Sequence, residues 1–243
     1  MTENTETPAD RLLDAALIHV PFDGWSQAAL AAAITDTGID PALARALYPR
    51  DGIDLALAYH RRGDAEMLVR LAERSGEDMR MRDRVALAVR LRLEVADPEL
   101  VRRGTTLLAL PPYAPEGVRA VWNTADAIWE ALGDTSEDGN WYSKRAILAG
   151  VYSSTVLYWL GDTTPGHAAT WAFLDRRIDE VMQFEKVKAK VQKDPVLSRL
   201  FALPLAAMGA IRKPRDASGD LPGRWPPGTD AGTGGRGKVP PVG

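Results

Sequence analysis

No cysteine occurs among the 243 residues. Disulfide frameworks, thiolate metal sites and thiol nucleophiles are therefore excluded, and a reducing compartment fits. Histidine is nearly as scarce: His19, His60 and His167 are the only three. None lies in a Glu-x-x-His pair, so the chain is not a carboxylate-bridged di-iron enzyme. The His-Glu-x-x-His zinc motif, the Walker loop and the Gly-x-Ser-x-Gly elbow are missing too. Residues Gly232 to Gly237 fit Gly-x-Gly-x-x-Gly, but no strand pattern precedes them and no helix pattern follows, so the match carries nothing. On these grounds no catalytic residue, no metal site and no cofactor is expected.

Long hydrophobic runs are also lacking. A membrane span needs roughly 18 uncharged residues, whereas the longest uncharged stretch runs only from Ala146 to Gly161 and contains Ser153, Ser154 and Thr155. The net charge of −3 gives no bulk electrostatic reason to bind nucleic acid. Residues Met1 to Pro8 are acidic and polar, and neither a secretory signal nor an Arg-rich transit peptide is read there. A bacterial cytoplasmic location is the expectation that follows.

What is present is helical periodicity, and an all-α fold is expected. Leu12, Leu13, Ala16, Leu17 and Val20 form one stripe of a first helix. Ser26 fits an N-cap and Gly38 a stop for the second, and Asp40-Pro41 opens a short third that ends before Pro49. Further helices are expected over 51–73, with Gly63 a loosening point, and over 78–96, 97–109, 116–132, 140–160 and 165–190. No strand alternation or hairpin signal stands out. The organisation read from this pattern is a flexible segment over 1–8, a head over 9–75, a helical bundle over 76–190, an amphipathic helix over 191–212 and a Gly/Pro-rich disordered tail over 213–243.

The first helices, with Thr37-Gly38 at the turn into the third and Tyr48-Pro49 closing it, resemble the helix-turn-helix head of TetR-type regulators, in which the third helix enters the DNA major groove. The third helix here is poorly equipped for that task. It offers Asp40, Pro41, Ala42, Ala44, Arg45 and Ala46, so only Arg45 could reach a base edge, with Arg50 near a phosphate. Sequence readout normally uses three or four polar side chains together with several phosphate contacts.

A second stretch is more specific. Residues 133–146 read Gly-Asp-Thr-Ser-Glu-Asp-Gly-Asn-Trp-Tyr-Ser-Lys-Arg-Ala, and Phe173-Leu174-Asp175-Arg176-Arg177-Ile178 follows downstream. This combination closely resembles the Coq-nine family of ubiquinone-biosynthesis accessory proteins, over about residues 9–190. The resemblance implies a TetR-like fold without DNA-binding duty and binding of isoprenoid quinone intermediates. It also implies delivery to a di-iron demethoxyubiquinone hydroxylase, homodimerisation, and membrane association through the last helix.

The residues themselves allow bland and sharp readings. After Lys144 and Arg145 the helix over 140–160 is uncharged all round, as buried helices are. Leu148, Val151, Tyr152, Thr155, Tyr158 and Trp159 form its aromatic-lined stripe, either plain core or the wall of a lipid cavity, with tyrosine and serine hydroxyls as polar anchors. On the preceding helix Trp122, Ala125 and Trp129 recur a turn apart. Ile128, Trp129 and Leu132, with Asp134, Trp141, Tyr142 and Arg145, are either core and loop supports or a patch for the hydroxylase partner. Asp134 is expected to pair with Lys144 and Arg145.

The last helix contains Val196, Leu197, Leu200, Phe201, Leu205 and Met208 between Lys186, Lys188, Lys190 and Lys193 on one side and Arg212, Lys213 and Arg215 on the other. A short apolar helix flanked by cations suits an anionic membrane surface, here a bacterial inner membrane, or packs on its own domain. The expected ligands and partners are thus an isoprenoid quinone or phospholipid, the hydroxylase, a membrane surface and a second copy of the chain, with no nucleic acid. The competing readings are a ligand-responsive TetR-type transcriptional regulator and a structural adaptor without a cavity.

Overall fold

A computed structural model describes residues 6–76, 78–136 and 139–193, with the backbone alone from 182 onward. The helix expected to contain Val196, Leu197, Leu200, Phe201, Leu205 and Met208, and the tail expected after it, fall outside the described residues. Among the described residues there are nine α-helices, one 3₁₀ turn and no strand. The helices are α1 (Pro8–Asp23), α2 (Gln27–Thr37), α3 (Pro41–Leu47), α4 (Gly52–Arg74), α5 (Met81–Glu94), α6 (Pro98–Leu108), α7 (Ala114–Ala131), α8 (Gly139–Gly161) and α9 (Ala168–Lys193).

Local chemistry sets most of the helix starts. The Thr7 hydroxyl accepts from the Asp10 amide at 3.1 Å while the Asp10 carboxylate reaches back to the Thr7 amide, a capping box before α1. Ser26 accepts from the Ala29 amide and opens α2; Gly38, at φ 65°, closes it in the left-handed conformation that glycine adopts without strain. Asp40 and Asp97 each accept two amides and each precede a proline at the first helical position of α3 and α6.

The expected single helix over 165–190 is interrupted. Pro165–His167 forms a 3₁₀ turn with Gly166 at φ 62°, and α9 starts only at Ala168. The cause is Asp162, whose carboxylate accepts the Thr164 amide and hydroxyl and, through its other oxygen, the Thr170 amide and hydroxyl. These bonds hold the Asp162 carboxyl well below the usual carboxylate range and make this corner the N-cap of α9.

Two apolar clusters share α4. Leu12, Ala16, Val20, Leu30 and Leu55 belong to the cluster of the head, and Met67, Leu71, Val89, Leu91 and Ile128 to that of the body. Leu55 at the start of α4 and Met67 near its end are fully buried, so this helix ties the two clusters together. Its first residue must be small: a Cβ on Gly52 would lie 2.2 Å from the Trp25 carbonyl group.

Gly63 has a different part from the one its helix-weakening tendency suggests. A Cβ there would lie 2.6 Å from Nη1 of Arg92, so glycine is what lets that guanidinium lie flat against α4. The same arginine is central to the site described next.

Candidate functional site

α4, α5, α6, α7 and α8 surround a cavity of about 540 Å³. That is within the ordinary range for small-molecule sites, ~300–1,000 Å³. It exists because small residues face one another across it: Gly104 from α6, Gly117 and Ala120 from α7, Ala149, Gly150 and Ser153 from α8. The lining is almost wholly apolar. Its outer rim includes Val118 and Leu157, which are 71% and 65% exposed although both are bulky and apolar. They mark the mouth.

Part of the lining is polar and buried. Arg92 of α5 is 3% exposed and donates from Nε to Asp64 at 2.6 Å and from Nη2 to the His60 carbonyl at 3.0 Å. Thr124 of α7 donates to Asp64 at 2.9 Å, and His60 Nε2 lies 2.8 Å from the Thr124 hydroxyl. With the Thr124 proton given to Asp64, the histidine must donate from Nε2. That leaves Nδ1 as an acceptor 3.4 Å from Arg92 Nη2. Arg92, His60 and Tyr152 border the cavity directly. Beside them Tyr59 accepts the Asp97 amide at 2.8 Å, and the Trp25 indole donates to the Leu100 carbonyl at 3.0 Å.

Burial pushes His60 below its ordinary value, against the pull of Asp64, with Arg92 and Arg61 adding to the downward shift. An unfolded histidine takes up a proton near pH ~6.5, and the folded chain resists it. The unfolded state therefore binds more protons in that window. The contribution of His60 to stability is intact above about pH 6.5 and is lost as pH falls from there through the depressed folded value. Urea midpoints should fall between about pH 7.5 and 5.5, and His60→Gln should flatten that fall. An unchanged slope in the variant would locate the pH dependence elsewhere.

The stripe expected on α8 is rotated away from this cavity. Of its six members only Tyr152 lines it. Leu148, Val151 and Trp159 are buried in the body cluster, and Thr155 is sealed with its hydroxyl donating to the Val151 carbonyl at 2.7 Å. Tyr158 is partly exposed and stacks on Phe173, with centroids 4.5 Å apart and planes 11° apart. The α8 residues that do line the cavity are Ala149, Gly150, Ser153, Val156 and Leu157 along with Tyr152.

The expected partner patch is largely an internal scaffold. Ile128, Leu132, Trp141 and Arg145 are buried and offer little surface to another molecule. Trp129 is half-buried, with its indole donating to the Lys144 carbonyl at 3.0 Å. Tyr142 is half-buried against the edge of Trp141, at 4.7 Å between centroids. Asp134 accepts from Lys144 at 2.7 Å and from Arg145 at 3.0 Å, and Arg145 also pairs with Asp126. Burial alone would raise the Asp134 carboxyl; hydrogen bonds from Lys144, Ser136 and Arg145 outweigh it and hold that group well below the usual range.

On the head, the residue expected near a phosphate is occupied. Arg50 donates to Asp54 at 2.7 Å and to Glu116 at 3.0 Å. Among the described residues no group of three or more His, Asp or Glu could hold a metal ion, and no helix is long and apolar enough to cross a membrane.

A COQ9 family model matches residues 114–185, which covers α7, α8 with Trp141 and Tyr142 in its first turn, and most of α9. The ubiquinone biosynthesis protein COQ9 of Drosophila melanogaster is 33% identical over 75% of the chain, and that of Rattus norvegicus 33% identical over 78%. The chain belongs to the COQ9 family. It spans 57% and 64% of the length of those two relatives, and 62% of the human COQ9, to which it is 31% identical. A TetR transcriptional regulator of Nitrosomonas europaea shares the fold, with a TM-score of 0.56 over 71% of this chain and 96% of the regulator. At 19% identity it informs the fold alone.

The COQ9 relatives are named as mitochondrial proteins. This overturns the bacterial location, in the cytoplasm and on an inner membrane, expected from the lack of a transit peptide. That inference was unsound, because the chain corresponds to only part of each relative.

Proposed function

We propose that this COQ9-family chain is a lipid-binding accessory protein of ubiquinone biosynthesis. It takes an isoprenoid quinone intermediate into the cavity between α4 and α8 and presents it to a di-iron demethoxyubiquinone hydroxylase, working as a homodimer at a membrane surface. The pathway is suggested by the names of the relatives. The observation that carries the binding role is the cavity itself: about 540 Å³, with a mostly apolar lining that includes the buried Arg92 and Tyr152 and the exposed Val118 and Leu157.

The physical task is solvation. Each prenyl CH₂ moved out of water gains ~0.8 kcal/mol. A polyprenyl tail therefore does not cross water unaided, whereas it passes readily between two apolar sites. Such a tail needs no particular side chain, only room, and the opposed small residues provide the room.

The test is organic extraction of the purified full chain followed by mass spectrometry. A prenylated quinone or phenol retained in near-stoichiometric amount is the expected result. A chain that purifies free of lipid and takes up none from quinone-loaded vesicles would overturn the proposal. A sequence-specific shift of duplex DNA at physiological salt would favour the regulator reading, which the engagement of Arg50 by Asp54 and Glu116 disfavours.

A further inference from the structure

Among the described residues that line the cavity, Tyr152 carries a hydroxyl that the fold leaves without a partner. Tyr152 is 4% exposed and lines the cavity, and its hydroxyl makes no hydrogen bond to another of the described residues. The polar groups around it each have a partner within the fold. Tyr59 accepts from the Asp97 amide, Arg92 donates to Asp64 and to the His60 carbonyl, and His60 is bonded to Thr124. A phenylalanine would fill the same volume without burying an idle hydroxyl, whose loss of water is unfavourable unless a partner replaces it.

We propose that the Tyr152 hydroxyl is the anchor for a neutral, hydrogen-bond-accepting ligand head. A carbonyl or alkoxy oxygen of a quinone-type ring accepts from Tyr152, and the prenyl tail leaves past Val118 and Leu157. The inference rests on the cavity being a prenyl-lipid site and adds to it the orientation of the ligand and the group that reads its head.

Charge supports a neutral head. The network beside Tyr152 contains one cation, Arg92, and one anion, Asp64, at 2.6 Å from each other. Burial keeps His60 uncharged and raises the Tyr152 phenol, which therefore stays a donor. The cluster is thus neutral as a whole, and a phosphate placed there would be buried next to Asp64 with no unpaired cation to meet it. Size sets the direction of the tail. A cavity of about 540 Å³ accommodates a ring and a few prenyl units, so a long tail must emerge, and among the described residues the bulky apolar lining side chains that are more than half exposed are Val118 and Leu157. Phospholipids entering through that mouth would keep their head groups outside and would not reach Tyr152.

The experiment compares the wild-type full chain with Tyr152→Phe by displacement of a fluorescent phenylnaphthylamine probe. The competing ligands are a short-chain ubiquinone, squalene (an isoprenoid without oxygen) and phosphatidylglycerol. Tyr152→Phe should weaken ubiquinone about tenfold, the effect of one lost hydrogen bond, and leave the other two within about twofold. Equal binding of all three by both proteins would overturn the anchor while leaving the cavity as a prenyl site. Uniform weakening of all three would reduce Tyr152 to a shaping role, and selective weakening of phosphatidylglycerol would assign an anionic head; either result overturns the anchor. Failure of the wild type to bind any of the three would overturn the cavity reading and, with it, this inference.

Discussion

Arg145→Met should destabilise the protein by about 3–5 kcal/mol, the range for removing one partner of a buried ion pair. Arg145 is 1% exposed and is held between Asp126 and Asp134, with its guanidinium 4.1 Å from the centre of the Trp141 ring. Its Nη1 also donates to the Trp141 carbonyl at 3.2 Å. Methionine fills much of the volume but leaves Asp134 buried with Lys144 as its remaining cation and removes the plane on which Trp141 rests. The cost is therefore mostly that of a buried carboxylate left with one cation fewer rather than of lost packing. Lys144→Met is the control. Its side chain is 39% exposed, and a pair of that kind contributes ~0–1 kcal/mol. Urea unfolding of both variants decides the matter: similar midpoints would mean that Arg145 does not hold the loop. The same measurement separates two origins of a lost partner interaction. If Arg145→Met reduces binding of a hydroxylase only in proportion to its unfolded fraction, the motif is a support for the loop and not itself a contact surface.

The parts of this molecule legible in its sequence are those governed by neighbouring residues. Ser26, Asp40 and Asp97 cap helices because a short oxygen-bearing side chain meets the amides two or three positions on, whatever the rest of the chain does. Gly166 and Asp162 were harder to read. The break between α8 and α9 depends on one carboxylate gathering donors two and eight residues further on, and nothing in apolar periodicity records that.

The face of α8 was illegible for a related reason. An uncharged helix has no polar side to orient it, so the aromatic stripe through Leu148, Val151 and Trp159 competed with the small-residue stripe through Ala149, Gly150 and Ser153. The bulky stripe fills the core; the small one leaves the void. A search for small residues recurring at helical spacing on successive helices, Gly104, Gly117, Ala120, Ala149 and Ser153, would have found the cavity. Arg92 and Gly63 were invisible alone, since an arginine in an Arg-rich helix and a glycine in a long one each read as surface and weakness. Their meaning lies in a contact across 29 positions that only the folded chain makes.

These two stripes of α8 give the sharpest experiment on function. Ser153→Trp should empty the cavity of lipid without harming the fold. Ser153 borders the cavity and is only half-buried, so an indole placed there extends into open space instead of displacing neighbours. Excluding even three methylenes of a bound tail removes ~2.4 kcal/mol, roughly a fiftyfold loss of affinity. Because the indole gains contacts in a former void, the thermal midpoint should hold or rise. Thr155→Trp, two positions on, makes the opposite case. Thr155 is fully buried in close packing, so overfilling should cost about 1–3 kcal/mol and lower the midpoint. Lipid recovered per folded molecule and the thermal midpoint, measured on both variants, place the ligand. Loss of lipid from Ser153→Trp alone puts it among Ala149, Ser153 and Val156. Full lipid content in a folded Ser153→Trp protein would mean that the ligand binds elsewhere, and the cavity would then be a packing defect between α7 and α8.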